Sequence, residues 1–213
     1  TAWFEPHRNR LTRHGDEPPT EEDLRARYYM AWDDEYFYMG AEVRDNANDV
    51  SDENHEPKRW YYKDSICWFI EAPRDEVAES FGQGDNAFCF VIDTSLPDYG
   101  AWWRHGAKGE TYIEEPLPSG AVEYRIQMNP WGDSESDYIL EARVAMAETF
   151  GSSDPDWRAP TLGDIYSVEI VHTDPDGGNY GGHFIIYGTG DDDGTWAKMV
   201  LSGPSELIER EAN

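Results

Sequence analysis

The 213-residue chain is 38% hydrophobic and 14% aromatic, enough to bury a substantial core, and carries a formal charge of −27 at pH 7. With only 17 scattered Lys and Arg, that charge excludes a surface built to neutralise nucleic-acid phosphates or to adhere to anionic membranes. No apolar run approaches the roughly 18 residues a spanning helix needs, so membrane insertion is not expected.

Two origins of the acidity fit, and they are compatible. One is a solvated surface suited to a salt-adapted organism, where screening removes self-repulsion. The other is a set of calcium loops, because that hard cation prefers carboxylate and carbonyl oxygens. Thr1 opens without a charged n-region or an apolar h-region, so no signal peptide is expected at this end. A mature form and a module of a longer protein both satisfy that observation.

In chain order, residues 1–22 are polar, contain Pro6, Pro18 and Pro19, and read as an extended segment, either a loop or an edge. Ala26–Asp33 and Glu35–Val43 are predicted strands around a tight turn at Asp33-Asp34. In the second strand Tyr36, Tyr38, Gly40 and Glu42 alternate with Phe37, Met39, Ala41 and Val43, the pattern of a strand with one face in a core. An acidic loop leads to Trp60–Glu71, an aromatic loop running into a strand, and then to a strand at Asp85–Asp93. Residues 96–109, with Trp102, Trp103 and His105, read as a loop. Further strands are predicted at Ala121–Met128, Asp137–Ala145, Ile165–Asp174, His183–Thr189 and Thr195–Leu201. A helical turn is expected after Met146, and residues 204–213 read as a C-terminal tail. About ten strands with turn-rich loops and no internal repeat indicate one all-β, antiparallel β-sandwich domain.

The order of these pieces resembles the family 9 carbohydrate-binding modules and the wider DOMON-like group of jelly-roll-like sandwiches. The likeness is carried by Ala31–Asp45, Trp60–Ala72, Asp85–Asp93, Tyr138–Met146, Tyr166–Asp174 and the "FIIYG" of Phe184–Gly188. It implies a non-catalytic glycan binder, extracellular or at a cell surface, often holding structural calcium and attached to a larger glycan-active protein. It also implies that two aromatic rings sandwich the sugar, at Trp60 or Tyr61 and at Tyr187. The acidic and basic side chains that grip the sugar hydroxyls in such modules fall here on Cys67 and Cys89, which departs from the pattern.

The same resemblance pairs the strands that bear these cysteines, so that a Cys67–Cys89 disulfide is expected; two buried free thiols remain the alternative. Trp60, Tyr61, Tyr62, Trp102, Trp103 and Trp131 lie in predicted loops, where a ring can meet the C–H face of a pyranose or instead plug the sandwich ends. Calcium candidates are Asp45 and Asp49 in "DNAND", and Asp174 and Asp176 in "DPDGGN", neither of which completes an EF-hand spacing. The "DDDG" of Asp191–Gly194 reads as a solvated turn. Haem, carried by some DOMON-like domains, would need ligands such as Met128, His172 or His183, and nothing pairs these in the sequence. No catalytic motif is present, and carboxylates in number do not make a glycosidase. A spacer or adhesion module without a small ligand is the third reading.

Overall fold

The computed structural model describes residues 2–4, 23–50, 59–74, 82–95, 101–107, 110–175, 183–185, 187–188, 190 and 192–203. Among the described residues, twelve strands form two antiparallel sheets. The five-stranded sheet runs β1 (Ala2–Phe4), β2 (Leu24–Trp32), β3 (Tyr36–Asp45), β9 (Tyr138–Ala145) and β8 (Val122–Met128) in spatial order. The other runs β11 (His183–Ile185), β10 (Ile165–Thr173), β4 (Ser65–Glu71), β5 (Asp85–Val91), β6 (Ala101–Ala107) and β7 (Glu110–Pro116). β12 (Ala197–Val200) pairs with the start of β10, end to end with β11.

The alternation in β3 does what its sequence demands. Phe37, Met39, Ala41 and Val43 are buried between the sheets, and Tyr36, Tyr38, Gly40 and Glu42 face outward, half-exposed. Asp33 closes the preceding hairpin by accepting the Glu35 and Tyr36 amides at 2.8 and 2.7 Å, a turn chemistry favoured by aspartate. β4 and β5 are buried along their whole length, so their sequences show no polar face. Ile66, Trp68, Ile70, Phe88 and Phe90 point into the main core, while Cys67, Phe69, Ala87, Cys89 and Val91 form a second cluster on the opposite face.

His172 of β10 ties the two sheets together. Its Nδ1 lies 2.6 Å from the Tyr28 hydroxyl and its Nε2 2.9 Å from that of Tyr138. Complete burial pushes the imidazole pKa down to about 3, so it is neutral here, one nitrogen donating and the other accepting.

Several sequence expectations are corrected. Residues 101–107 are strand β6, and 110–116 form a strand that the sequence reading missed. The polar look of "WWRHG" misleads because its partners come from β7 and β5. Arg104 pairs with Glu114 at 3.0 Å, His105 with Glu115 at 3.0 Å, and the Trp103 indole donates to Asn86 at 3.0 Å. Trp103 is therefore core rather than loop. Ala2–Phe4 pairs with β2 as a short edge strand, within the segment read as a loop or an edge. The turn after Met146 is a four-residue helix, α1 (Phe150–Ser153).

Candidate functional site: the outer face of the seven-stranded sheet

Register places side chains in rows across this face, since directly opposed residues point to the same side. One row runs Ile185, Val171, Cys67, Cys89 and Trp102, and the next runs Glu169, Phe69, Ala87, Arg104 and Glu114. Cys67 and Cys89 are directly opposed, with Cα atoms 4.0 Å apart, and form a disulfide. The sugar-gripping charges that the resemblance led one to look for are thus replaced by a buried, hydrogen-bond-poor bridge in the middle of the face.

Aromatic residues gather around that bridge. Trp60–Tyr62 is a single 3-10 turn, held where the Lys63 amide and the Ser65 hydroxyl both donate to the Trp60 carbonyl, at 3.0 and 2.9 Å. Trp60 turns inward against Phe69, with ring centroids 6.5 Å apart, and is buried, contrary to the exposure expected of a loop ring. Tyr61 stacks edge-on against Trp60 at 5.5 Å and is half-buried, as is Trp102 beside Cys89. Tyr187 is 48% exposed.

What positions Tyr187 is a residue the sequence reading passed over. Glu169 is buried in β10, and its carboxylate accepts three backbone amides. Ile170 donates at 2.8 Å, Tyr187 at 2.9 and 3.1 Å to the two oxygens, and Gly188 donates as well. A buried carboxylate is stable only where donors replace its water, and here those donors are the backbone that presents the exposed ring. Gly190 passes over the same cluster; a Cβ there would lie 3.0 Å from Phe69 Cζ. Asymmetric alternation, a lone Glu within the buried "YSVEIVHT" strand, was the available signal.

Among the described residues, two trios of buried carboxylates lie mostly at or next to strand ends. Asp45, Asp64 and Asp174 offer oxygens all within 4.8 Å of one another, as do Glu71, Asp85 and Asp193. Each is a hard-oxygen set of the kind calcium takes. The first joins two of the expected candidates, Asp45 and Asp174, to Asp64, which precedes β4. Asp49 is not one of the three, although its amide donates to an Asp64 oxygen at 2.5 Å; Asp176 lies outside the described residues. In the second trio Glu71 and Asp85 face each other across β4 and β5, and Asp193 joins from the "DDDG" stretch, so this aspartate is buried rather than solvated.

Among the described residues no helix is long and apolar enough to cross a membrane. No curated protein sequence is similar enough to match this chain. Two solved structures are of a family 9 carbohydrate-binding module from Caldicellulosiruptor kristjanssonii. The first, in complex with cellotriose, is 16% identical with a TM-score of 0.61, covering 100% of this chain and 88% of that one. The second, in complex with glucose, is 16% identical with a TM-score of 0.62, covering 98% and 87%. At that identity the likeness is one of fold. The family model described as "Carbohydrate family 9 binding domain-like" matches residues 1–208, and the chain belongs to that family.

Proposed function

We propose that this chain is a non-catalytic carbohydrate-binding module that takes a glycan against Tyr187, with Tyr61 and the edge of Trp60 as the facing wall. The observation that carries this reading is an exposed aromatic ring whose backbone amide is held by a buried carboxylate, on the sheet face where the other aromatics gather. The apolar C–H face of a pyranose stacks on such a ring while its hydroxyls stay solvated or hydrogen-bonded at the rim. The disulfide occupies the positions from which family modules grip hydroxyls, so contacts from loop side chains replace that grip here.

The Asp45–Asp64–Asp174 trio holds a structural calcium in this reading, because three carboxylates so close and so buried repel one another until a divalent cation joins them. The disulfide supports export to an oxidising compartment, as a module of a larger glycan-active protein.

The test is titration with soluble glycans, cello-oligosaccharides and glucose first, followed by tryptophan fluorescence and calorimetry. Tyr187→Ala is expected to weaken binding at least tenfold, about 1.4 kcal/mol, and Tyr61→Ala to weaken it less. A broad panel without any response, with and without calcium, would end the reading.

A further inference from the structure

The opposite side of the sandwich, the outer face of the five-stranded sheet, has a hollow of about 370 Å³ centred on Gly40. Gly40 sits in the middle of β3, where a residue without a side chain weakens a strand. The fold does not require it. Its φ is not positive, and among the described residues a Cβ built there meets only ordinary contacts, 3.6 Å to the Leu140 carbonyl oxygen and 3.6 Å to Tyr29 Cβ. A mid-strand glycine demanded neither by conformation nor by packing marks a place where something else approaches the backbone.

The walls define what fits. Tyr29 lies directly opposite Gly40 on one side and Glu141 on the other, so the three share a row. Tyr38 is held upright by its hydroxyl, which donates to Asp33 at 2.6 Å, and Ile139 and Glu42 close the remaining sides. Around Gly40 the charges come in opposite pairs across strands, Arg27 with Glu42 at 4.0 Å and Arg143 with Glu123 at 2.7 Å, with Arg125 opposite Glu141. Toward Trp131, Arg25 and Arg44 oppose each other in register, and Arg44 is offset by Asp133 at 2.6 Å and Asp137 at 2.5 Å. Over the hollow at Gly40 no single sign dominates, which disfavours an ionic ligand there. Tyrosine walls with carboxylate acceptors and guanidinium donors match the amphipathic ring of a neutral sugar. A hollow of about 340 Å³ shares Tyr38 and Glu141 with it, and another of about 210 Å³, reaching Trp131, shares Glu42. Tyr38, Gly40 and Glu42 are successive outward positions of β3, so the three hollows follow that strand as a shallow trough.

We propose that this trough is a second glycan site, taking a neutral linear oligosaccharide with one pyranose seated over Gly40. It makes the module bivalent, with sites on opposite faces. The proposal rests on the reading of the chain as a glycan binder but not on the Tyr187 site.

The experiment uses wild type, Tyr187→Ala, Gly40→Val and the double variant, titrated calorimetrically with cello-, xylo-, manno- and malto-hexaoses. Wild type is expected to bind with two sites, and Tyr187→Ala to retain one. Gly40→Val fills the hollow and is expected to weaken that remaining site at least tenfold while leaving the Tm no lower than wild type. Should valine disturb the fold, Tyr29→Ala, on a half-exposed ring, is expected to give the same loss. If Tyr187→Ala abolishes all binding, or if the retained site ignores both Gly40→Val and Tyr29→Ala, this proposal falls while the glycan-binding reading stands. If wild type binds none of the hexaoses, the two fall together.

Discussion

Glu169 shows how much one buried side chain decides. Its carboxylate replaces water for three amides, two of which hold the chain at Tyr187 and Gly188. Glu169→Ala strands those donors and is expected to destabilise the protein by about 2–3 kcal/mol in urea unfolding. It should also speed hydrogen exchange at the Tyr187 and Gly188 amides, which a general loss of core packing would not single out. Asp164 illustrates a weaker, exposed case. Arg158 pairs with it through two 2.7 Å bonds and, with the Thr161 amide, holds its carboxyl well below the usual carboxylate range. A depressed folded pKa means that the unfolded chain takes up the proton first. The stabilisation is therefore present above pH ~4 and lost as pH falls below it. Because Arg158 is 54% exposed, solvent screening keeps the effect small. Asp164→Asn should slightly flatten the acid limb of a Tm-against-pH curve and leave its slope near neutral pH unchanged.

At the scale of elements, the β4–β5 pair is the structural anchor of the seven-stranded sheet, since every residue of both strands is buried. The disulfide closes a 22-residue separation across it. In the chain-entropy account, restricting the unfolded chain over such a loop contributes about 3 kcal/mol. Reduction, or Cys67→Ser with Cys89→Ser, is expected to lower the unfolding free energy by about that amount in guanidinium titrations. Equal midpoints for oxidised and reduced protein would show that the bridge stabilises nothing. The β6–β7 hairpin is the element that sequence alone concealed. Trp103 and His105 face inward and Trp102 and Arg104 outward, but the polar identities of His105 and Arg104 hide that alternation until β7 brings Glu114 opposite Arg104 and Glu115 diagonally against His105. A single strand's sequence does not display its partner.

Among the described residues the carboxylates behind the charge of −27 lie on the solvated surface, in the two buried trios, and singly buried, as at Glu169. If a calcium ion at about a hundred times its Kd stabilises the folded state, linkage supplies about 2.7 kcal/mol, or roughly 5–10 °C in Tm for a chain of this size. EDTA is expected to lower the Tm by that amount, with calcium restoring it. Asp64→Asn should remove most of the response to calcium. Because a residual trio and the self-repulsion of the surface both respond to ions, sodium chloride at matched ionic strength is the control that separates binding from screening.

Local patterning was legible wherever one face of a strand met a core and the other met water. It disclosed Phe37 to Val43 in β3 and, in outline, most of the strands. The order of motifs carried the family resemblance, and with it the pairing of Cys67 and Cys89. Tertiary structure alone decided that Trp60 turns inward while Tyr187 stays exposed, that Asp64 completes the trio begun by Asp45 and Asp174, and that Glu169 faces backbone rather than solvent. The reason is physical. Hydrophobic periodicity is written into consecutive residues, whereas the environment of a buried charge or an exposed ring is set by groups tens of residues away, which meet only when the sheets close.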